Sequence, residues 1–174
     1  MPPPGKGEVA IFNRSHYEDV LVTRVHKLID KDTWTRRYDD IRAFEALLAE
    51  ENTIVLKFFL HISKEEQLER FAQRLDDPDR NWKISESDYS ERKLWDDYTE
   101  AFEDAIEATS TKAAPWYVIP SNYKWFRNLA ISQIIADTME DLKLRFPAPS
   151  VDLADIRKKY HQAAQAEKAS KGAD

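Results

Sequence analysis

The sequence predicts an α/β protein in which a parallel sheet is covered by helices. Three apolar runs, residues 8–12, 53–62 and 116–120, read as buried strands. Segments of helical periodicity separate them, giving the order β-α-α-β-α-(α)-β-α. Strands joined by helical crossovers run parallel, and helices then cover the faces of the sheet. Three strands are few, since sheets usually carry about five or six. On this reading, strands are missing from the N-terminal side.

The elements follow in order. After the run Glu8-Val9-Ala10-Ile11-Phe12, a helix is expected with Tyr17, Val20, Leu21, Val25 and Leu28 on one face. Ser15 and Glu18 have the spacing of a capping box at its start. Residues 36–51 form a second amphipathic pattern, with Ile41, Phe44, Leu47 and Leu48 inward. Residues 53–62 are apolar on both faces, as in a central parallel strand, with Lys57 and His61 as interruptions. Ser63 and Glu66 mark a second capping box, opening a helix that packs Leu68, Phe71 and Leu75. Asp76-Asp77-Pro78-Asp79 breaks the chain. Asp88 to Glu91 can cap a further helix with a stripe of Leu94, Tyr98, Phe102 and Ala105. The run 116–120 is a short aromatic strand, and Ser121-Asn122 then cap a long helix over about 123–144, stopped by Pro147 and Pro149. Residues 150–174 are rich in Ala, Lys and Gln, and are expected as a frayed helix or a disordered tail.

Composition removes several function classes. Of 174 residues, 26 are Lys or Arg and 32 Asp or Glu, so the chain is mildly acidic. Segment 64–107 carries 7 basic and 15 acidic residues, which argues against DNA or RNA binding by bulk electrostatics. There is no cysteine, hence no disulfide, thiol chemistry or cysteine-bound metal. The four histidines lack H-x-x-x-H and H-E-x-x-H spacing, so no histidine metal site is expected. No apolar stretch is long enough for a membrane span, and the first six residues do not resemble a signal peptide, so the expected address is the cytoplasm. Glycine occurs only at 5, 7 and 172. Neither a dinucleotide-binding turn nor a Walker A loop can therefore lie between Glu8 and Lys171. Gly5-Lys6-Gly7 follows three prolines rather than a buried strand, the wrong context for a phosphate loop.

Ligands of open parallel sheets bind at the carboxyl ends of the strands, beside helix N-termini that favour anions. Three junctions have that form: Asn13-Arg14-Ser15, His61-Ile62-Ser63 and Pro120-Ser121-Asn122. Arg14 stands out as a fixed cation at such a junction, with a surface arginine paired to a carboxylate as the alternative. Glu18 equally fits the capping role. Arg70 and Arg74 share one helix face, which by phase points away from Leu68, Phe71 and Leu75, and Arg80 and Lys83 follow beside Trp82. They form either a strip gripping an extended polyanion or a solvated face balanced by acids.

Ile11-Phe12-Asn13-Arg14-Ser15-His16-Tyr17-Glu18-Asp19-Val20-Leu21-Val22 resembles the segment after the Walker B strand in the polyphosphate kinase 2 family. Within that family it is similar to the subgroup that phosphorylates nucleoside mono- and diphosphates from polyphosphate. Two further stretches agree: Asp77-Pro78-Asp79-Arg80-Asn81-Trp82-Lys83 with Trp95-Asp96-Asp97-Tyr98, and Ala114 to Pro120 with Lys124-Trp125-Phe126-Arg127-Asn128-Leu129. The resemblance runs from about residue 9 to 146. It implies a P-loop kinase-like three-layer α/β/α sandwich with a helical lid, here about residues 76–95 of a partial domain 1–149. It also implies phosphoryl transfer between inorganic polyphosphate and AMP, ADP or ATP, with Mg²⁺, in a homo-oligomer. No partnership with DNA, RNA or membrane is expected.

Carried over by position, Arg14 holds phosphate beside the reacting centre as the catalytic candidate. Asn13 occupies the Walker B position as an amide, and Glu18 and Arg24 orient the nucleotide or its metal. Arg70, Arg74 and Lys83 grip phosphate at the lid, and Arg127 is a further substrate-binding candidate. The family's Walker A segment lies upstream of the matched region. The expectation is therefore a C-terminal kinase part lacking its N-terminal strand and P-loop, with little activity by itself. The alternative is a non-catalytic module that binds polyphosphate or nucleotide, or serves assembly. No metal ligand is assigned within the chain.

Overall fold

The computed structural model describes residues 3–171; Met1, Pro2 and residues 172–174, which close the expected tail, lie outside them. The chain divides into two units, Met1–Gln133 and Ile134–Asp174.

The first unit begins with an extended segment and a 3-10 turn, His16–Asp19, followed by the short helix α1, Val22–Val25. Helix α2, Lys31–Glu50, starts where Asp30 accepts the Thr33 N–H. Strand β1, Lys57–His61, leads into α3, Lys64–Asp76, whose first turn is capped by Ser63 accepting from the Glu66 N–H. A 3-10 turn at Asn81–Lys83 precedes α4, Glu86–Arg92, and α5, Trp95–Thr109. The cap of α4 is a Ser85–Asp88 box, three residues earlier than the sequence suggested. Strand β2, Trp116–Pro120, is followed by α6, Lys124–Asp141, which runs into the second unit.

β1 and β2 pair in parallel, with Lys57 opposite Trp116 and His61 opposite Pro120. This is the parallel arrangement expected for these two runs. The strand expected at residues 8–12 does not form. The sheet among the described residues has two strands, and Val9 and Ile11 are exposed at 82% and 89%. Apolar content makes a strand only where a neighbouring strand takes up its N–H and C=O groups, and this segment has none.

The core lies between the first 3-10 turn with α1, α2 and α5. Tyr17, Val20, Leu21, Val25, Tyr38, Ile41, Ala101 and Ala105 are buried there, with Trp34, Phe102 and Trp116 packed around them. The expected face of Tyr17, Val20, Leu21 and Val25 is thus the inward one. Leu28 departs from it, because Lys27 takes a left-handed φ of 54° and ends the helical path. On α2 the inward line is Tyr38, Ile41 and Glu45, leaving Phe44 and Leu47 partly exposed. On α3 only Phe71 is buried, while Leu68 and Leu75 stay open.

The second unit holds the end of α6 and helix α7, Leu153–Lys171, within the segment expected as a frayed helix or disordered tail. An i,i+4 ion pair, Lys159 to Asp155, spans 2.7 Å on its surface. No described helix is long and apolar enough to cross a membrane.

Candidate functional site

Arg14 sits at the start of the first 3-10 turn with a left-handed φ of 70°, a conformation that costs a non-glycine residue energy. Its side chain is 81% exposed, and its Nε lies 3.9 Å from Glu18 Oε1. Asn13 is exposed beside it. Ser15 caps the turn by accepting from the Tyr17 N–H at 3.3 Å, and its carbonyl accepts the Glu18 N–H. Glu18 faces Arg14 rather than closing a capping box. Tyr98 lies within the field of both Arg14 and Glu18, and its hydroxyl donates to Glu91 at 2.8 Å. Burial first, then the Glu91 and Glu18 carboxylates, raises the Tyr98 phenol well above its ordinary value.

Beneath this turn is a buried polar network that the sequence reading did not single out. Lys57 Nζ donates to Glu45 Oε2 at 2.6 Å, to the Tyr17 hydroxyl at 3.0 Å and to the Thr109 carbonyl at 2.9 Å. The Tyr17 oxygen lies 2.8 Å from Glu45 Oε1 and 2.9 Å from Thr109 Oγ1. His16 Nε2 stands 3.6 Å from Glu45 Oε1. Burial pushes the Glu45 carboxyl upward, but the His16, Lys57 and Tyr17 donors outweigh it and hold the group below the ordinary carboxylate value. The available signal was periodic: Glu45 occupies an apolar phase of α2, and Lys57 interrupts an apolar strand.

The two other junctions meet. Where β1 and β2 end, a cavity of about 260 Å³ is lined by His61, Ser63, Pro120, Ser121, Asn122, Tyr123 and Phe126. The Ser63 N–H donates to Asn122 Oδ1 at 2.9 Å, and the Ser121 N–H extends the ladder to the His61 carbonyl at 2.7 Å. Arg70 closes the side of this junction: Nη2 donates to the Ser121 carbonyl at 2.7 Å, and Nε pairs with Glu66 at 2.8 Å. Among the described residues, no hydrogen bond or ion pair joins the Arg14 turn to this cavity.

The arginine strip divides. Arg70 is only 19% exposed and turns toward the strand ends, where phase alone placed it on an outward face. Arg74 rests 5.6 Å from the Phe71 ring centroid, and exposed Lys83 lies 4.9 Å from that of Trp82. Arg24 is 11% exposed and held by Asp104 at 2.7 Å and Glu100 at 2.9 Å, with its guanidinium over Trp34. The Asp104 contact raises its affinity for the proton although burial opposes this. Arg127 is half-buried on α6 and bonds the neighbouring Asn128. Gly5-Lys6-Gly7 forms a turn whose Gly5 N–H is already taken by the Glu8 carboxylate at 2.9 Å. No group of three or more His, Asp or Glu among the described residues could hold a metal ion.

These features define an α/β protein of mostly helical make-up, with parallel strands whose carboxyl ends open onto a cavity and an exposed arginine on a separate strained turn. The sequence model of polyphosphate kinase 2 matches residues 2–147, and the chain belongs to that family. It is 55% identical over 146 residues to an AMP/ADP-polyphosphate phosphotransferase of Meiothermus ruber, covering 84% of this chain and 55% of that one. It is 44% identical over 156 residues to an ADP-polyphosphate phosphotransferase of Rhodopseudomonas palustris, covering 83% and 54%. The crystal structure of polyphosphate kinase 2 from Arthrobacter aurescens superposes with a TM-score of 0.90 at 44% identity, covering 92% of this chain and 56% of that one. The chain spans about half the length of these relatives.

Proposed function

We propose that this chain contributes to phosphoryl transfer between inorganic polyphosphate and nucleoside mono- or diphosphates, within a P-loop kinase-like three-layer sandwich. The observation that carries this is the family match over residues 2–147, which takes in Arg14, together with 55% identity over 146 residues to an AMP/ADP-polyphosphate phosphotransferase. The chemistry agrees. In phosphoryl transfer the protein chiefly positions phosphates and neutralises their charge, which calls for accessible arginines. Arg14, with its guanidinium open to solvent, can pair with a phosphate oxygen by charge-assisted hydrogen bonds. Lys83 in the segment read as a lid and Arg74 just before it extend the grip along a polyanion, with Asn13 and Arg127 as further substrate contacts, whereas Arg24, held by Asp104 and Glu100, braces the core instead. Mg²⁺ characteristically binds one or two carboxylates together with substrate phosphates, so it would arrive with the nucleotide, and Glu18 is the carboxylate beside Arg14.

The 174 residues contain no Walker A loop, since glycine is absent between Glu8 and Lys171. Losing one preorganised donor lowers a rate by about 100- to 1,000-fold. The chain by itself is therefore expected to bind polyphosphate with little turnover. The test incubates the purified chain with Mg²⁺, polyphosphate and AMP or ADP, measures nucleotide product, and titrates polyphosphate against the parent and Arg14→Ala. Weaker binding by the variant supports the reading. Absence of polyphosphate binding by the parent overturns it.

A further inference from the structure

We propose that Tyr17 is a positioning residue, whose hydroxyl, held by Lys57, Glu45 and Thr109, fixes the turn that presents Arg14 to a phosphate chain. The proposal rests on the polyphosphate reading of Arg14 and deepens it.

The turn needs an internal anchor. Residues 13–15 are exposed and belong to no strand, and the Arg14–Glu18 pair at 3.9 Å is too open and too solvated to fix a guanidinium. Tyr17, by contrast, is 4% exposed and lies three residues from Arg14 on the inner side of the same turn. Its ring meets Trp116 edge-on at 4.9 Å, which sets its depth, and its hydroxyl ends in the polar network. Four elements converge there: Glu45 from α2, Lys57 from β1, Thr109 from α5 and Trp116 from β2.

The proton count makes the anchor specific. The three ammonium protons of Lys57 go to Glu45, Tyr17 and the Thr109 carbonyl. Thr109 Oγ1 donates to the Ala105 carbonyl at 2.6 Å and accepts from Trp116 Nε1 at 3.0 Å. The single Tyr17 proton is shared toward Glu45 and Thr109, and the phenol oxygen also accepts from Lys57. A phenylalanine would keep the ring contact and lose the whole polar tether. Lys57 and Glu45 would still have each other, so Tyr17→Phe tests the tether without orphaning a buried charge. The strained φ of Arg14 fits this arrangement, since such a conformation persists only where its surroundings hold it.

The experiment uses the full chain, with polyphosphate of fixed length as the probe and amide hydrogen exchange as a ligand-free readout. Tyr17→Phe should speed exchange at residues 14–19 more than in α3 or β2. It should weaken polyphosphate binding by about two- to fivefold, the effect expected for one displaced, solvent-exposed charge contact. The same substitution in an Arg14→Ala background should change affinity no further. Thr109→Val, which removes one partner of the phenol, provides a second variant, and Ile119→Val serves as a core substitution away from the turn, expected to leave affinity unchanged. If Arg14→Ala weakens binding while Tyr17→Phe has no effect, or has the same effect in both backgrounds, the positioning role is overturned and the polyphosphate reading stands. If Arg14→Ala leaves binding unchanged, the polyphosphate reading is overturned. The exchange data then decide the tether alone, and unchanged protection at 14–19 overturns it.

Discussion

Lys57 Nζ and Glu45 Oε2 are 2.6 Å apart, with side chains only 6% and 2% exposed, so one interior ion pair joins β1 to α2. Removing one member of such a pair leaves an uncompensated charge, whereas replacing both with apolar groups of similar size does not. Glu45→Ala is expected to lower unfolding free energy by about 3–5 kcal/mol in urea titration. Glu45→Leu with Lys57→Met should recover most of that loss. A double variant as unstable as the single would show that the pair is not the source.

Stability should fall at both ends of the pH scale. Glu45 is held below its ordinary value of 4.5, so the unfolded state binds a proton first on acidification. Its contribution is present above that value and disappears as pH falls through the lower folded-state value. The Tyr17 phenol is raised above its ordinary 10.0, chiefly by burial, so its contribution is present below pH 10.0 and lost as pH rises through the folded-state value. Urea midpoints should therefore be flat between about pH 5 and 9 and drop outside that range. Tyr17→Phe should shallow the alkaline drop, leaving a remainder from Tyr98 and Tyr38, both raised in the same sense, while Lys57, lowered by burial, opposes the drop in part. An unaltered alkaline slope would exclude Tyr17 as its cause.

Arg14→Gly separates stability from binding. Glycine enters the left-handed region at φ 70° without the strain of a Cβ, so the variant should gain about 0.5–1 kcal/mol. Polyphosphate affinity should fall in the same protein, because the exposed guanidinium is gone. A calorimetric Tm set beside a binding titration reads both effects. Loss of stability would show that the turn gains more from the arginine side chain than the backbone loses.

The cations of α3 and the following turn should behave differently from one another. Arg70→Ala removes bonds to Glu66 and to the carbonyls of Ser121 and Asn122, and is expected to destabilise by about 1–3 kcal/mol. Lys83→Ala, on an exposed turn, should stay within about 0.5 kcal/mol of the parent. Equal effects in denaturant would contradict the clamp assigned to Arg70.

Much of the fold and part of the candidate site could be read directly. The strand at 116–120, the Ser63 cap and the inward Tyr17, Val20, Leu21 and Val25 are local patterns: alternation, capping chemistry and helical phase act within a few residues. Arg14 could be nominated from the sequence because its junction and family segment are contiguous there, and its part in binding is the proposal tested above. Arg70 was legible as a cation but not as a clamp, since its partners Ser121 and Asn122 lie about fifty residues away.

The sequence by itself determined the α/β class, the parallel direction of two strands and membership of a phosphate-handling family, because each rests on local order or on contiguous motifs. Only the tertiary structure decided the rest. It left residues 8–12 without a strand, because a ladder needs a neighbour that composition cannot supply. It also turned Lys57 and Glu45, which read as blemishes in apolar patterns, into the buried pair beneath Tyr17. A charge becomes tolerable inside a protein only when its partner arrives, and that partner comes from another element of the fold.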